Sequence, residues 1–343
     1  MTRPSESTGK PQKTNTMRYP TQKSPENPRT PASQSSSWTF VLLAASALLC
    51  ILFVTQSATG AGKVDISSEK LTVGFTSTSF PNADQREVQP AMHLWTRELA
   101  RQMGIKAQPG TIIFSRTEDL VEAVNKGELS VVSLPALDYL YFRKIARMSP
   151  SLVSSGVSGH EGSLLLVVRS DSGIRTIRDL RGKTLLLAAR KALSSSRLWL
   201  SVLLLREGFR DPSKFFRVTE EAVSPSKALI NIYFGKNDAL ILSREAFEAS
   251  IVLNPQLGKK MTVLAHSGNI LGVLTCIPDT VNKDLRHLIE SKAQHLHETG
   301  IGRQMFTLFQ MERVVPFHPS YLEGLEDLLR ERNRLAAGLN RRK

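Results

Sequence analysis

Cysteine is scarce: among 343 residues there are only Cys50 and Cys276, so no disulfide framework and no thiolate-built metal site can form. Cys50 lies in an apolar run, and Cys276, between Thr275 and Ile277, reads as a small buried hydrophobe. The histidines do not cluster. His295 and His297 stand two apart on a predicted helix and so face different ways. His93, His160, His266, His287 and His318 have no metal-ligand spacing. GxSxG, HExxH, a P-loop and paired carboxylates are all missing. Ser195 has no histidine near it in sequence to act as a base, which argues against hydrolytic chemistry there. The expectation is a protein with no catalytic residues, no metal and no cofactor.

Acid is also in short supply, with 31 Asp and Glu against 45 Lys and Arg and a net charge of +14. The surplus sits mostly at the ends: residues 1–37 hold six basic and two acidic side chains, and residues 330–343 hold six and one. A basic groove through the fold is therefore not expected, nor is a nucleic-acid partner. The C-terminal run reads as a solvated helix end favoured by the helix dipole, with contact to anionic lipid as the alternative.

One long apolar run is present. Residues 38–54 carry no charge, and residues 38–55 are expected to form a transmembrane or signal-anchor helix through which the protein meets the membrane. The preceding tail, residues 1–37, is rich in Pro, Ser, Thr and Asn with a basic excess, and is expected to be disordered and cytoplasmic. Residues 56–69 read as a linker, and all that follows is expected outside the cytoplasm. The long basic leader favours an uncleaved anchor. Thr59 and Ala61 are small residues that fit the alternative, cleavage after Ala61 and secretion. Leu49 is too bulky to precede a lipidated Cys50.

Beyond the linker the pattern alternates. Strands are predicted at 71–75, 111–114 and 129–134, with a helix at 86–103 whose Val88, Ala91, Met92, Trp95 and Leu99 share one face. Ser115 and Glu118 have capping-box spacing at the next helix start. This βαβαβ order implies a parallel sheet covered by helices. The pattern then repeats, with strands at 184–188, 215–218 and 238–242 and helices at 195–207, 224–234 and 244–253. Strands at 261–265 and 271–277 return to the first half, and helices at 280–298 and 320–338 close the chain. The fold class is α/β with two lobes: residues 70–162 with 265–343, and residues 163–264. A cleft between such lobes is the usual place for a small ligand.

The most informative stretch is 163–197, where a buried strand leads through Ser194, Ser195 and Ser196 into a strongly apolar helix. The first N–H groups of a helix lack internal partners and its dipole favours negative charge there. Serine hydroxyls can donate to the same oxygens. A small oxyanion is therefore the expected ligand. N-capping explains one serine but not three. Arg190 and Lys191 either add positive charge or face water. Thr76, Ser77 and Thr78 follow the first strand at its C-terminal end, where open α/β sheets bind ligands. Ser133, Tyr139 and Ser243 complete the set of candidate ligand-binding residues.

The run Val167-Val168-Arg169-Ser170-Asp171-Ser172-Gly173-Ile174, followed by Asp179-Leu180-Arg181-Gly182-Lys183-Thr184, resembles the start of the second lobe in the phosphate/phosphite/phosphonate solute-binding proteins of ABC transporters. These are type II periplasmic binding proteins with two α/β lobes and a hinge. The resemblance covers about residues 70–330. Ser194 to Ser196 fall where that family places a Ser-Thr-Ser anion loop. Gly235-Lys236 with Asp238-Ala239, Asn125-Lys126-Gly127-Glu128-Leu129, and Pro135 with Tyr139 are similar to further family segments. There are departures. Leu242-Ser243-Arg244 stands where many members carry an acid able to pair with a ligand ammonium, which speaks against an aminoalkylphosphonate. The spacing from Pro135 to Tyr139 is one residue longer than the family pattern. The usual aromatic before the second-lobe strand is absent from 154–163. The resemblance implies an extracytoplasmic solute-binding protein that captures phosphate, phosphite or a phosphonate, closes about a hinge and docks a permease. The alternatives are a tethered ligand-sensing domain with a sensor-kinase partner and, more weakly, a two-lobe precursor-synthesis enzyme.

Overall fold

The computed structural model describes residues 67–79, 85–156, 161–188, 193–222, 224–308 and 311–340. The tail expected at 1–37, the helix at 38–55, most of the linker, and Arg190 and Lys191 lie outside them. Among the described residues no helix is long and apolar enough to cross a membrane.

The first half runs β1 (Thr72–Thr76), α1 (Gln85–Met103), β2 (Gly110–Phe114), α2 (Thr117–Asn125), β3 (Val131–Pro135), α3 (Ala136–Phe142) and β4 (Met148–Ser155). Next come β5 (Glu161–Arg169), β6 (Thr184–Leu187), α4 (Leu193–Arg206), α5 (Pro212–Phe215) and β7 (Val218–Glu221). They are followed by α6 (Pro225–Tyr233), β8 (Ala239–Ser243), α7 (Arg244–Leu253), α8 (Pro255–Lys259) and β9 (Met261–Leu271). The chain ends with β10 (Val273–Pro278), α9 (Lys283–Gln294), α10 (Gly300–Leu308), β11 (Arg313–Pro316) and α11 (Glu323–Asn340).

These strands form two sheets, ordered β11-β4-β10-β3-β1-β2 and β7-β6-β8-β5-β9. β1, β2 and β3 are parallel, as are β6, β7 and β8, while β10 and β5 enter their sheets antiparallel. Successive side chains alternate faces. Val73, Phe75, Val131 and Ile277 pack with α1, α9 and α10, whereas Val132, Leu134, Leu274 and Cys276 pack with α2 and α3. Coverage on both faces explains why β1, β6 and β8 are almost wholly buried, and why β6 and β8 read as nearly unbroken apolar runs.

Polar residues fix the register. Asp238 accepts from the backbone N–H and the hydroxyl of Thr184, both at 2.8 Å, which locks the start of β6 to that of β8. Gly235 holds φ 69° ahead of them, a left-handed conformation that favours glycine, and the mobile end of Arg169 lies against it. α4 is apolar all round because it is covered twice, by the second sheet and by α11. Trp199 and Leu204 are fully packed within it, and Arg206 pairs with Glu331 of α11 through two contacts of 2.9 Å.

Several expectations change. The Ser115–Glu118 capping box does not form: Arg116 is the N-cap without a side-chain bond, and Thr117 donates instead to Asp138 at 2.7 Å. The reciprocal box is at Thr176 and Asp179. The strand expected at 215–218 starts at Val218, because Phe215 ends the short α5 and is buried against the rings of Phe209 and Phe216. β9 is a single strand whose partners along β5 run from Met261 to Leu271. Residues 265–271 therefore belong to the second sheet, and only Gly272 separates them from β10 in the first. α11 follows a first-sheet strand yet packs on α4.

Candidate site at the crossover edge

In the first sheet, Thr76, Phe114 and Pro135 end their parallel strands along one edge, where β4 also ends and β10 begins. In the second sheet, β6, β7 and β8 end together, with Ser243 opposite Leu164 near the start of β5. The chain passes between the sheets at these ends, from β4 to β5 and through Gly272. Both sheets thus direct the C-terminal ends of their parallel strands to the crossover, the edge at which open α/β sheets take ligands.

On the first sheet, β1 runs directly into a 3-10 turn, Ser77–Ser79. Thr78 Oγ1 donates to Thr76 Oγ1 at 3.1 Å, and Thr76 Oγ1 and Ser79 Oγ are 2.9 Å apart. Ser77 Oγ reaches the Ser115 carbonyl at 3.5 Å. Ser133 pairs across the sheet with Phe75 and Thr275 and is the least buried residue of β3. Tyr139 stands apart from this group. It packs with Leu274 and Cys276 on the opposite face of the sheet, where burial raises its phenol pKa.

On the second sheet, α4 starts at Leu193 rather than at Ser195, so Ser194, Ser195 and Ser196 lie in its first turn. The first backbone N–H groups of a helix have no internal acceptors, and Ser194 and Ser195 lie at that end of α4. Ser195 and Ser196 are 2% and 0% exposed, and Ser194 is half-buried. Ser243 caps α7, accepting from the Ala246 N–H at 3.2 Å. Arg244 Nε donates to Ser163 Oγ at 2.9 Å, which puts a guanidinium where an acid was noted as missing. Among the described residues no group of His, Cys, Asp and Glu is placed to hold a metal ion.

A cavity of about 110 Å³ lies under the first sheet's edge, on the face covered by α1 and α10. Its depth is apolar, from Val73 and Val131 in the strands to Met92, Trp95 and Phe306 in the helices. Hydroxyls of Ser79, Ser133, Ser154 and Thr275 also line it, the first two near the strand ends. No ionisable side chain is among its described lining residues. Sequence reasoning reached Ser133 and the Thr76–Ser79 loop but missed Ser154 and Thr275. The parity of β10 is the available signal for Thr275, which shares a face with Val273.

The model of a family described as ABC transporter, phosphonate, periplasmic substrate-binding protein matches residues 78–322. The chain belongs to that family. This phosphonate-binding family consists of extracytoplasmic transporter components that are generally non-enzymatic, each implying a small ligand and a permease. Solved structures share the fold. XAC2383 from Xanthomonas citri, bound to chloride, superposes with a TM-score of 0.58 at 16% identity, over 79% of this chain and 100% of its own. A binding protein component of an ABC phosphonate transporter from Pseudomonas aeruginosa gives 0.57 at 12% identity, over 79% and 88%. PhnD1 from Prochlorococcus marinus, in complex with methylphosphonate, gives 0.55 at 15%, over 77% and 98%. No curated protein matches the chain.

Proposed function

We propose that this phosphonate-binding family member captures a phosphate-like oxyanion (phosphate, phosphite or a phosphonate) outside the cytoplasm and delivers it to a permease. Residues 38–55 serve as its anchor or leader. The reading rests chiefly on the crossover edge, where a hydroxyl-rich turn after β1 and a serine-lined helix start after β6 come from two different sheets. Thr76, Ser77, Thr78 and Ser133 supply donors from one lobe, and Ser194, Ser195, Ser196 and Ser243 from the other. Ionised oxygens strengthen such bonds relative to neutral ones. Tyr139 acts from behind the sheet, holding β3 and β10 together.

We assign the first lobe to the β1–β4 region with β10 and β11, and the second to β5–β9, with Gly272 in the hinge between them. Ligand capture closes the lobes about this hinge. The complex with methylphosphonate of the Prochlorococcus marinus protein supports the choice of ligand class.

The test uses the full chain in mild detergent and follows its melting temperature with methylphosphonate, phosphite, phosphate, sulfate and glucose. A ligand at about 100 times its Kd stabilises by about 2.7 kcal/mol, a shift of several degrees. A shift confined to phosphorus oxyanions is expected, with affinity lowered more than about tenfold by the double change Ser195→Ala, Ser196→Ala, equivalent to about 1.4 kcal/mol. A chain indifferent to every phosphorus oxyanion refutes the reading.

A further inference from the structure

We propose that the cavity beneath the first sheet receives the organic substituent of the ligand, and that the ligand is a phosphonate with a short, uncharged alkyl chain. The inference rests on the function proposed above and narrows it. A phosphonate is tetrahedral, so its one carbon substituent points away from the three oxygens. With those oxygens held at the strand ends, the substituent needs a compartment of its own.

The cavity meets that need in position, size and chemistry. Ser79 is hydrogen-bonded to Thr76 and Ser133 is paired beside Phe75, so the hydroxyl-lined end of the cavity is part of the candidate site itself. From there it runs inward past Phe75 and Trp95, whose rings meet edge to face with centroids 6.1 Å apart, to Val73 and Val131. A volume of about 110 Å³ holds three to four groups of methylene or water size, at about 30 Å³ each. An ammonium in this space would face an apolar wall with no carboxylate among its described lining, a costly arrangement. Arg244 at the other side of the edge adds positive rather than negative charge.

Isothermal titration of the full chain with methyl-, ethyl-, propyl-, butyl- and hexylphosphonate, and with 2-aminoethylphosphonate, tests the inference. Each buried methylene contributes about 0.8 kcal/mol, or about fourfold in affinity. Propylphosphonate should therefore bind about fifteenfold more tightly than methylphosphonate, the gain should end near butyl, and 2-aminoethylphosphonate should bind more weakly than ethylphosphonate. Ser154→Leu fills part of the cavity from β4 and should bring the propyl-to-methyl affinity ratio close to one. Its melting temperature without ligand reports whether it is folded. Methylphosphonate binding with no gain on lengthening the chain overturns the cavity assignment and leaves the proposed function standing. An unchanged ratio in folded Ser154→Leu also overturns it. No binding of any phosphonate or of inorganic phosphate overturns both.

Discussion

Glu98 lies near the C-terminal end of α1, the helix that roofs the cavity, and its side chain is only 2% exposed. It accepts from Arg101 Nε and Nη2, both at 2.8 Å, and from Gln102 Nε2 at 3.0 Å. The Arg101 hydrogen bonds, outweighing the opposing effect of burial, hold its carboxyl down from an ordinary 4.5 to about 2, with help from Gln102 and Thr299. A depressed pKa stabilises the folded chain above the unfolded value, and that stability drains away as pH falls from about 5 towards 2. At about 1.36 kcal/mol per pKa unit the ceiling is about 3.4 kcal/mol. Because Arg101 is 66% exposed, solvent screening brings the expectation to about 2 kcal/mol. Glu98→Gln should therefore lower stability by about 2 kcal/mol at pH 7, a fall of about 5 °C in Tm. Between pH 5 and 2.5 the variant should lose about 2 kcal/mol less than the unaltered chain, so the two curves converge. Urea denaturation of both proteins across that range is the assay. Parallel stability curves would refute the assignment of this acid sensitivity to Glu98.

Two further outcomes are expected from the packing. Trp199→Ala removes the largest fully buried side chain and should cost about 3–5 kcal/mol, read as a lower urea midpoint at constant m-value. A double-mutant cycle on Arg206 and Glu331, whose bonds are 2.9 Å and partly exposed, should give a coupling of about 1 kcal/mol. Zero coupling would mean that α11 is held on α4 by apolar contacts alone.

The architecture was largely legible because both sheets are covered on two faces. Strands such as β6 and β8 are then almost wholly apolar, and helices such as α1 carry one clear stripe. Where a segment departs from that rule, reading by pattern failed. β4, with the sequence MSPSLVSS, contains four serines and a proline and reads as a loop. It is a strand because β10 and β11 pair with it on either side, a circumstance no local propensity encodes. Ser115 and Glu118 had the spacing of a capping box, but Asp138 drew Thr117 elsewhere. The serine cluster was visible through its place between a buried strand and an apolar helix, although the helix begins at Leu193, two residues before the predicted start. The cavity was beyond reach, since its walls come from five strands and two helices spread from Val73 to Val314.

The order of the first sheet carries a consequence for how the chain is made. β10, near residue 275, sits between β3 and β4, near residues 133 and 152. As synthesis proceeds from the N-terminus, both of those strands present an open edge while more than a hundred further residues emerge. The second sheet, built wholly from residues 161–271, can close by itself in that interval. Exposed strand edges invite pairing with other chains, and closing so long a loop is slow. A chain wired in this way is best kept unfolded until its last third has crossed to the compartment where the family works, and its first lobe should be the last part to acquire protection from hydrogen exchange.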